Sequence, residues 1–257
     1  MVAVWVGLIG LLAGCSQESR LEGHVYDVWG NPVEGATVVM EGQSERPLTD
    51  KAGRFSLPWL PGEHKIKAGR EGFVQDHLTI KVPEQPGTPD APAVEFALWP
   101  KPEDPGFYAK GIDAYVHLEP EQVRIVGNQD LQSYRGVRFV TARTDGNTLS
   151  VLFHTPLKMD KVMRLGLSLH RMEYIEQAKM TGPVAEINTD VDLWVPTKEI
   201  PLDVVPLHSR MDYLLTAKDL EPGTYTIDTQ HLLSGASEDD FHEVPEPWRV
   251  AYPFEVR

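Results

Sequence analysis

Gly23-His24-Val25-Tyr26-Asp27-Val28-Trp29-Gly30-Asn31-Pro32-Val33-Glu34-Gly35-Ala36-Thr37-Val38 is the stretch that decides the fold. From Leu21 to Tyr26 the residues alternate, the period of a strand with one buried face. Asp27 to Pro32 then supplies a turn in which Gly30 can take positive φ and Pro32 fixes the exit. Gly35 to Met40 resumes as a second strand. Further on, Thr49 to Leu57 reads as a strand end, an Asp-initiated turn closed by Gly53, and a new strand with Phe55 and Leu57 on one side. Leu60-Pro61-Gly62 turns the chain again into His64 to Ala68. Short alternating segments cut by Gly, Pro, Asn and Asp at roughly ten-residue intervals predict an all-β sandwich.

Taken as a set, these residues resemble the carboxypeptidase regulatory-like domain, a prealbumin-type, Ig-like sandwich. Its pattern is G-x-V-x-D-x-x-G-x-P-V-x-G-A-x-V, then T-D-x-x-G-x-F-x-L, then L-P-G. The match runs through Gly23, Val25, Asp27, Gly30, Pro32, Val33, Gly35, Ala36 and Val38, then Thr49, Asp50, Gly53, Phe55 and Leu57, then Leu60, Pro61 and Gly62. The resemblance covers residues 20–100, with Val94 to Leu98 as the last strand. His64 departs from it, standing where the family has Tyr. What the resemblance implies is a structural module, appended to enzymes, receptors and surface proteins and without catalytic residues of its own.

Working toward the N-terminus, Val2 to Leu12 is an apolar run of signal-peptide length, too short for a membrane-spanning helix of about 20 residues. Leu12-Ala13-Gly14-Cys15 closes it and resembles the lipobox of bacterial lipoproteins. That resemblance implies a signal peptide over residues 1–14, cleavage before Cys15, a diacylglycerol on its sulfur and an acyl group, such as palmitate, on the new amino terminus. Residues 15–19 are then a lipidated tether. Cys15 is the chain's single cysteine, so no intrachain disulfide competes for it. No Lys or Arg precedes the apolar run, a departure from the signal-peptide pattern. Ser16 rather than Asp after the cysteine resembles the Gram-negative pattern for the outer membrane.

The formal net charge is −14 over 257 residues. Nucleic acid is thereby an unfavourable partner, since binding it depends on Lys and Arg at the phosphates. An anionic membrane surface would repel the body of the protein, so membrane attachment falls to Cys15, where several acyl chains together suffice. Chain length suggests two domains. Between Pro83 and Pro105 lie 7 of the 21 prolines, and residues 101–106 read as a Pro-rich, semi-rigid linker that sets the spacing of the domains.

Residues 107–257 continue in the same idiom and are expected to form a second, Ig-like sandwich. Strands are expected at Arg138 to Val140, Thr148 to Phe153, along the alternation of Leu165, Leu167 and Leu169, and at Ile187 to Val195. Arg171 to Met180 fits a short helix or a strand. Leu220-Glu221-Pro222-Gly223-Thr224-Tyr225 resembles a tyrosine corner, in which the phenol bonds back to nearby backbone, and it echoes Leu60-Pro61-Gly62.

The search for chemistry is mostly negative. There is no G-x-S-x-G elbow, no H-E-x-x-H and no phosphate loop; Gly166-Leu167-Ser168-Leu169-His170 ends in His within a strand-like alternation. Glu238, Asp239, Asp240, Glu243 and Glu246 surround His242 and read as a solvated loop, with Asp239, Asp240 and Glu243 as the weak candidates for a hard cation. Trp29 and Trp59 stand in two turns, where exposed indoles would offer a binding face to sugars or peptides. The expectation is a lipid-anchored envelope lipoprotein without enzymatic activity or cofactor, a structural or binding module for protein or glycan partners, located at the outer membrane on its periplasmic or surface side. The alternative is an envelope hydrolase using carboxylates of the second domain.

Overall fold

The computed structural model describes residues 19–86, 93–126, 134–176, 192–208, 211–229, 232–234 and 238–257, apart from the side chains at 126, 134 and 238–240. Cys15 and its lipobox, Pro89, Pro92 and the stretch Ile187 to Val191 lie outside the described residues. Among the described residues no helix is long and apolar enough to cross a membrane.

The first domain has six strands: β1 (Arg20–Asp27), β2 (Thr37–Met40), β3 (Arg54–Pro58), β4 (Gly62–Gly69), β5 (Asp76–Val82) and β6 (Val94–Leu98). They form two three-stranded sheets, β3-β1-β6 and β2-β4-β5. The alternating apolar residues of both meet in one core that includes Leu21, Val25, Val38, Phe55, Ile66 and Phe96. β1 is the central strand of its sheet, antiparallel to β3 and parallel to β6, with Gly23 opposite Val94 and Asp27 opposite Leu98. Glycine is required at 23, because a Cβ there would lie 2.3 Å from the Phe55 ring and 2.5 Å from the Val94 carbonyl oxygen.

The two Asp-x-x-Gly segments are built alike. Asp27 Oδ1 accepts from the backbone N–H groups of Trp29 and Asn31, both at 2.9 Å. Asp50 Oδ1 accepts from Ala52 and Arg54 at 2.8 and 2.9 Å. Each turn closes on a glycine with positive φ, 87° at Gly30 and 74° at Gly53, where another residue would be strained. Buried Thr49 ties the pieces together: its hydroxyl donates to the Val33 carbonyl at 2.5 Å and accepts from Ala36 N–H at 2.8 Å.

The second domain comprises β7 (Gly106–Lys110), β8 (Tyr115–Leu118), β9 (Glu121–Gln122), β10 (Arg124–Val126), β11 (Tyr134–Gly136), β12 (Ala142–Thr144), β13 (Leu149–His154), α1 (Met159–Arg164), β14 (Ser168–Ile175), β15 (Leu193–Ile200), β16 (Asp203–Pro206), β17 (Asp212–Ala217), β18 (Gly223–Asp228), α2 (Glu238–Glu243) and β19 (Val250–Val256). Sheet β16-β17-β13-β7-β8 packs on sheet β12-β19-β18-β14-β15, with β9 added to β19. Phe107, Phe153 and Tyr213 from the first meet Leu169, Tyr225 and Phe254 from the second; the Phe107 and Phe153 rings stack at 4.2 Å. A third layer covers the outer face of the second sheet. There Val123, Val137, Leu232, Leu233, Phe241 and Val244 close over Met172 and Ala251.

Three expectations change, and one open alternative is resolved. Arg138 to Val140 is no strand: Val137 makes a single bridge to Trp194 and the chain then bends, leaving Phe139 exposed. Leu165 ends α1 instead of starting a strand, since Gly166 at φ 54° breaks the run before β14 begins at Ser168. Arg171 to Ile175 is strand. The acidic stretch forms helix α2 followed by a 3-10 turn at Glu246–Trp248, because Phe241 and Val244, three residues apart, both drop into the third layer.

The tyrosine corner is present. Tyr225 donates its phenolic hydrogen to the Glu221 carbonyl at 2.8 Å. His64 does the same work in the first domain, with Nε2 3.0 Å from the Leu60 carbonyl oxygen. A carbonyl only accepts, so Nε2 carries the hydrogen. In both cases the ring reaches back four residues and stands two after a glycine of positive φ, Gly62 at 116° and Gly223 at 153°. Histidine thus makes in the first sandwich the bond that tyrosine makes in the second.

Candidate functional site

An aromatic and charged cluster lies where the two sandwiches meet. The Asp27 turn projects Trp29 onto the second domain, where its indole Nε1 donates to the Gly111 carbonyl at 3.1 Å. Its ring meets Tyr115 edge-on at 5.1 Å, and Trp99 stacks on the same phenol at 6.1 Å. Tyr115 returns a hydrogen bond to the Pro100 carbonyl at 2.6 Å. Burial, then the charges of Asp212 and Asp27, push its phenol well above the ordinary tyrosine range. Beside it His154 and Asp212 face each other across β13 and β17, both buried, with Nδ1 and Oδ1 2.6 Å apart. At the rim, the rings of His77 and His208 approach to 5.0 Å.

The segment between the sandwiches is bonded at both of its ends. Lys101 N–H donates to Gly72 at 2.8 Å on the first domain, and Tyr108 of β7 donates to the Asp104 carbonyl at 2.8 Å. Only Pro102, Glu103, Asp104 and Pro105 lie between Lys101 and β7. The arrangement fixes one sandwich on the other.

Trp29 and Trp59 are not brought together. Trp59 follows β3, whose Pro58 pairs with Arg20 at the start of β1, whereas Trp29 lies beyond the end of that strand. Trp59 is half-buried over the first core and its Nε1 donates to the Pro83 carbonyl at 3.1 Å. A shared face of two indoles is not formed, because the two rings lie at opposite ends of β1. Glu243 is exposed at the end of α2, and the side chains of Asp239 and Asp240 lie outside the described residues; among those described no three metal-ligating side chains converge.

Ser168, His170 and Asp228 do converge, which the strand-like alternation gave no reason to expect. They are paired residues or neighbours on β14 and β18, all buried beneath the third layer. Ser168 donates to Asp228 Oδ1 at 2.5 Å, and His170 Nε2 lies 3.2 Å from the Ser168 oxygen. Asp228 Oδ2 accepts the Leu233 N–H at 3.0 Å. The carboxylate, not the imidazole, thus takes the serine hydrogen, unlike the order in a nucleophilic triad. What this wiring can do is pin the 232–234 turn to the sheet.

Residues 20–94 match the carboxypeptidase regulatory-like domain. The match supports that reading of the first sandwich and covers under a third of the chain. The fold class is an all-β sandwich. No curated protein is a significant match to the chain.

Proposed function

We propose that the chain is a lipid-anchored lipoprotein of the cell envelope, held to the membrane through Cys15 and acting as a structural or binding module for a protein or glycan partner, on the periplasmic or surface side of the outer membrane. The observation that carries this reading is Leu12-Ala13-Gly14-Cys15, which closes an apolar run with the chain's single cysteine just ahead of the first sandwich. Three residues lie between Cys15 and Ser19, whose carbonyl accepts the Trp59 N–H at 3.2 Å, and the four steps span at most about 14 Å. Acyl chains on Cys15 would hold the Trp59 end of the sandwich at the headgroups. β1 then crosses the domain, eight residues or roughly 25 Å, to the Trp29 end, where the second sandwich is docked. That domain becomes the part presented outward, in a fixed orientation.

The test is Cys15→Ala. The variant should accumulate as uncleaved precursor and incorporate no labelled fatty acid. A variant that is still acylated and membrane-bound would end the lipoprotein reading.

A further inference from the structure

Charge is divided unevenly between the domains. Residues 20–101 carry nine Lys and Arg against twelve Asp and Glu, and residues 102–257 carry fifteen against twenty-five. In the less acidic first domain an open groove of about 570 Å³ lies along the β2-β4-β5 sheet, lined by three cations, Arg46, Lys67 and Arg70, and one carboxylate, Glu71. Lys67 meets Glu41 only at 3.5 Å, with Glu41 mostly exposed and Lys67 partly so, so that contact competes weakly for its charge. The Arg70 guanidinium lies 5.8 Å from the centre of the Phe73 ring, a packing that leaves its N–H groups able to serve a carboxylate or phosphate.

The floor is low because two of its residues are glycines, Gly35 and Gly69; a Cβ on Gly69 would come within 2.8 Å of Gln75. A peptide's usual route onto a sheet, an added strand, is closed at this edge. Thr37 bridges Leu48, Val38 N–H donates to Pro47 at 3.0 Å, and Thr49 N–H donates to Ala36 at 2.9 Å. The Thr37 hydroxyl and Gln75 amide lining the groove suit a hydroxyl-rich ligand instead.

We propose that this groove binds an anionic saccharide, recognised through its carboxylate or phosphate groups. The inference rests on the reading of the chain as an envelope binding module and narrows its partner. Calorimetric titration of the full chain in detergent would use four probes: an oligoglucuronate, a phosphorylated oligosaccharide, a neutral oligosaccharide and polyglutamate. One anionic saccharide or both should bind, at least ten-fold more tightly than the neutral sugar or the acidic peptide, and binding should weaken as salt rises. Which anion binds separates carboxylate from phosphate recognition. Arg46→Ala and Arg70→Ala should each weaken binding at least ten-fold with unchanged unfolding temperature, and Arg143→Ala on β12 should leave it as it was. Failure of both anionic saccharides to bind, equal binding of polyglutamate or the neutral sugar, or full binding by a folded Arg70→Ala chain would overturn the proposal. None of those outcomes touches the anchoring reading, which is decided by acylation of Cys15.

Discussion

Replacing Trp29 by alanine should part the two sandwiches while leaving each one folded. The indole N–H bond to Gly111 contributes about 1 kcal/mol net. The edge contact with Tyr115 adds about 1 kcal/mol. The ring is half-buried, so its truncation returns on the order of 100 Å² of apolar surface to water, about 2.5 kcal/mol. Allowing for overlap among these, Trp29→Ala should weaken the junction by about 3–4 kcal/mol, and Trp29→Phe, which keeps a ring but no donor, by about half as much. The two cores share no residue, so the loss should appear as uncoupling. Calorimetry should show two separate transitions in place of coupled unfolding, and cleavage after Glu103 by a glutamate-specific protease should accelerate. Unchanged calorimetry together with unchanged cleavage in Trp29→Ala would refute the assignment of this indole to the domain joint.

Three further outcomes follow from the described bonds. His64→Ala should cost about 1 kcal/mol through loss of the bond to Leu60, and His64→Tyr should restore it; equal urea midpoints for all three proteins would contradict the corner role. Asp228→Ala strands the Ser168 hydroxyl and the Leu233 N–H in a buried site and should cost about 3 kcal/mol, whereas a cost under about 1 kcal/mol would mean that water reaches the cluster. Tyr115 gives the pH dependence. Its folded-state pKa is raised above the unfolded value, so its contribution is fully present below about pH 10 and is lost as pH rises beyond it. Cleavage after Glu103 should therefore accelerate above that pH in the wild type, and an equally steep rise in Tyr115→Phe would exclude the phenol as its source.

The first sandwich was legible because each of its turns is chemically marked. Asp27 with Gly30, and Asp50 with Gly53, are local devices, complete within four residues, and their hydrogen bonds can be anticipated from spacing alone. Tyr225 was legible for the same reason. The misread segments depend on partners distant in sequence. Leu165, Leu167 and Leu169 keep a strand period, but Val162 is buried from α1 and Gly166 interrupts the run. Helix α2 has too few residues to display a helical period, and its identity rests on Phe241 and Val244 reaching a third layer that no local pattern announces. Trp29 looked like an exposed ligand face because its partners, Gly111 and Tyr115, lie more than eighty residues further on. Ser168 and Asp228 are brought together by β14 and β18 pairing, again across a separation invisible to periodicity.

The parallel pairing of β1 with β6 also has a mechanical meaning. If the N-terminus is anchored as proposed, a pull between it and the second domain enters at the start of β1 and leaves from the end of β6, at opposite ends of two strands running in the same direction. Such a load acts in shear along the pair from Gly23–Val94 to Asp27–Leu98, so that its hydrogen bonds resist together instead of opening one at a time as in peeling. The strand nearest the N-terminus is the one best placed to bear tension without unravelling.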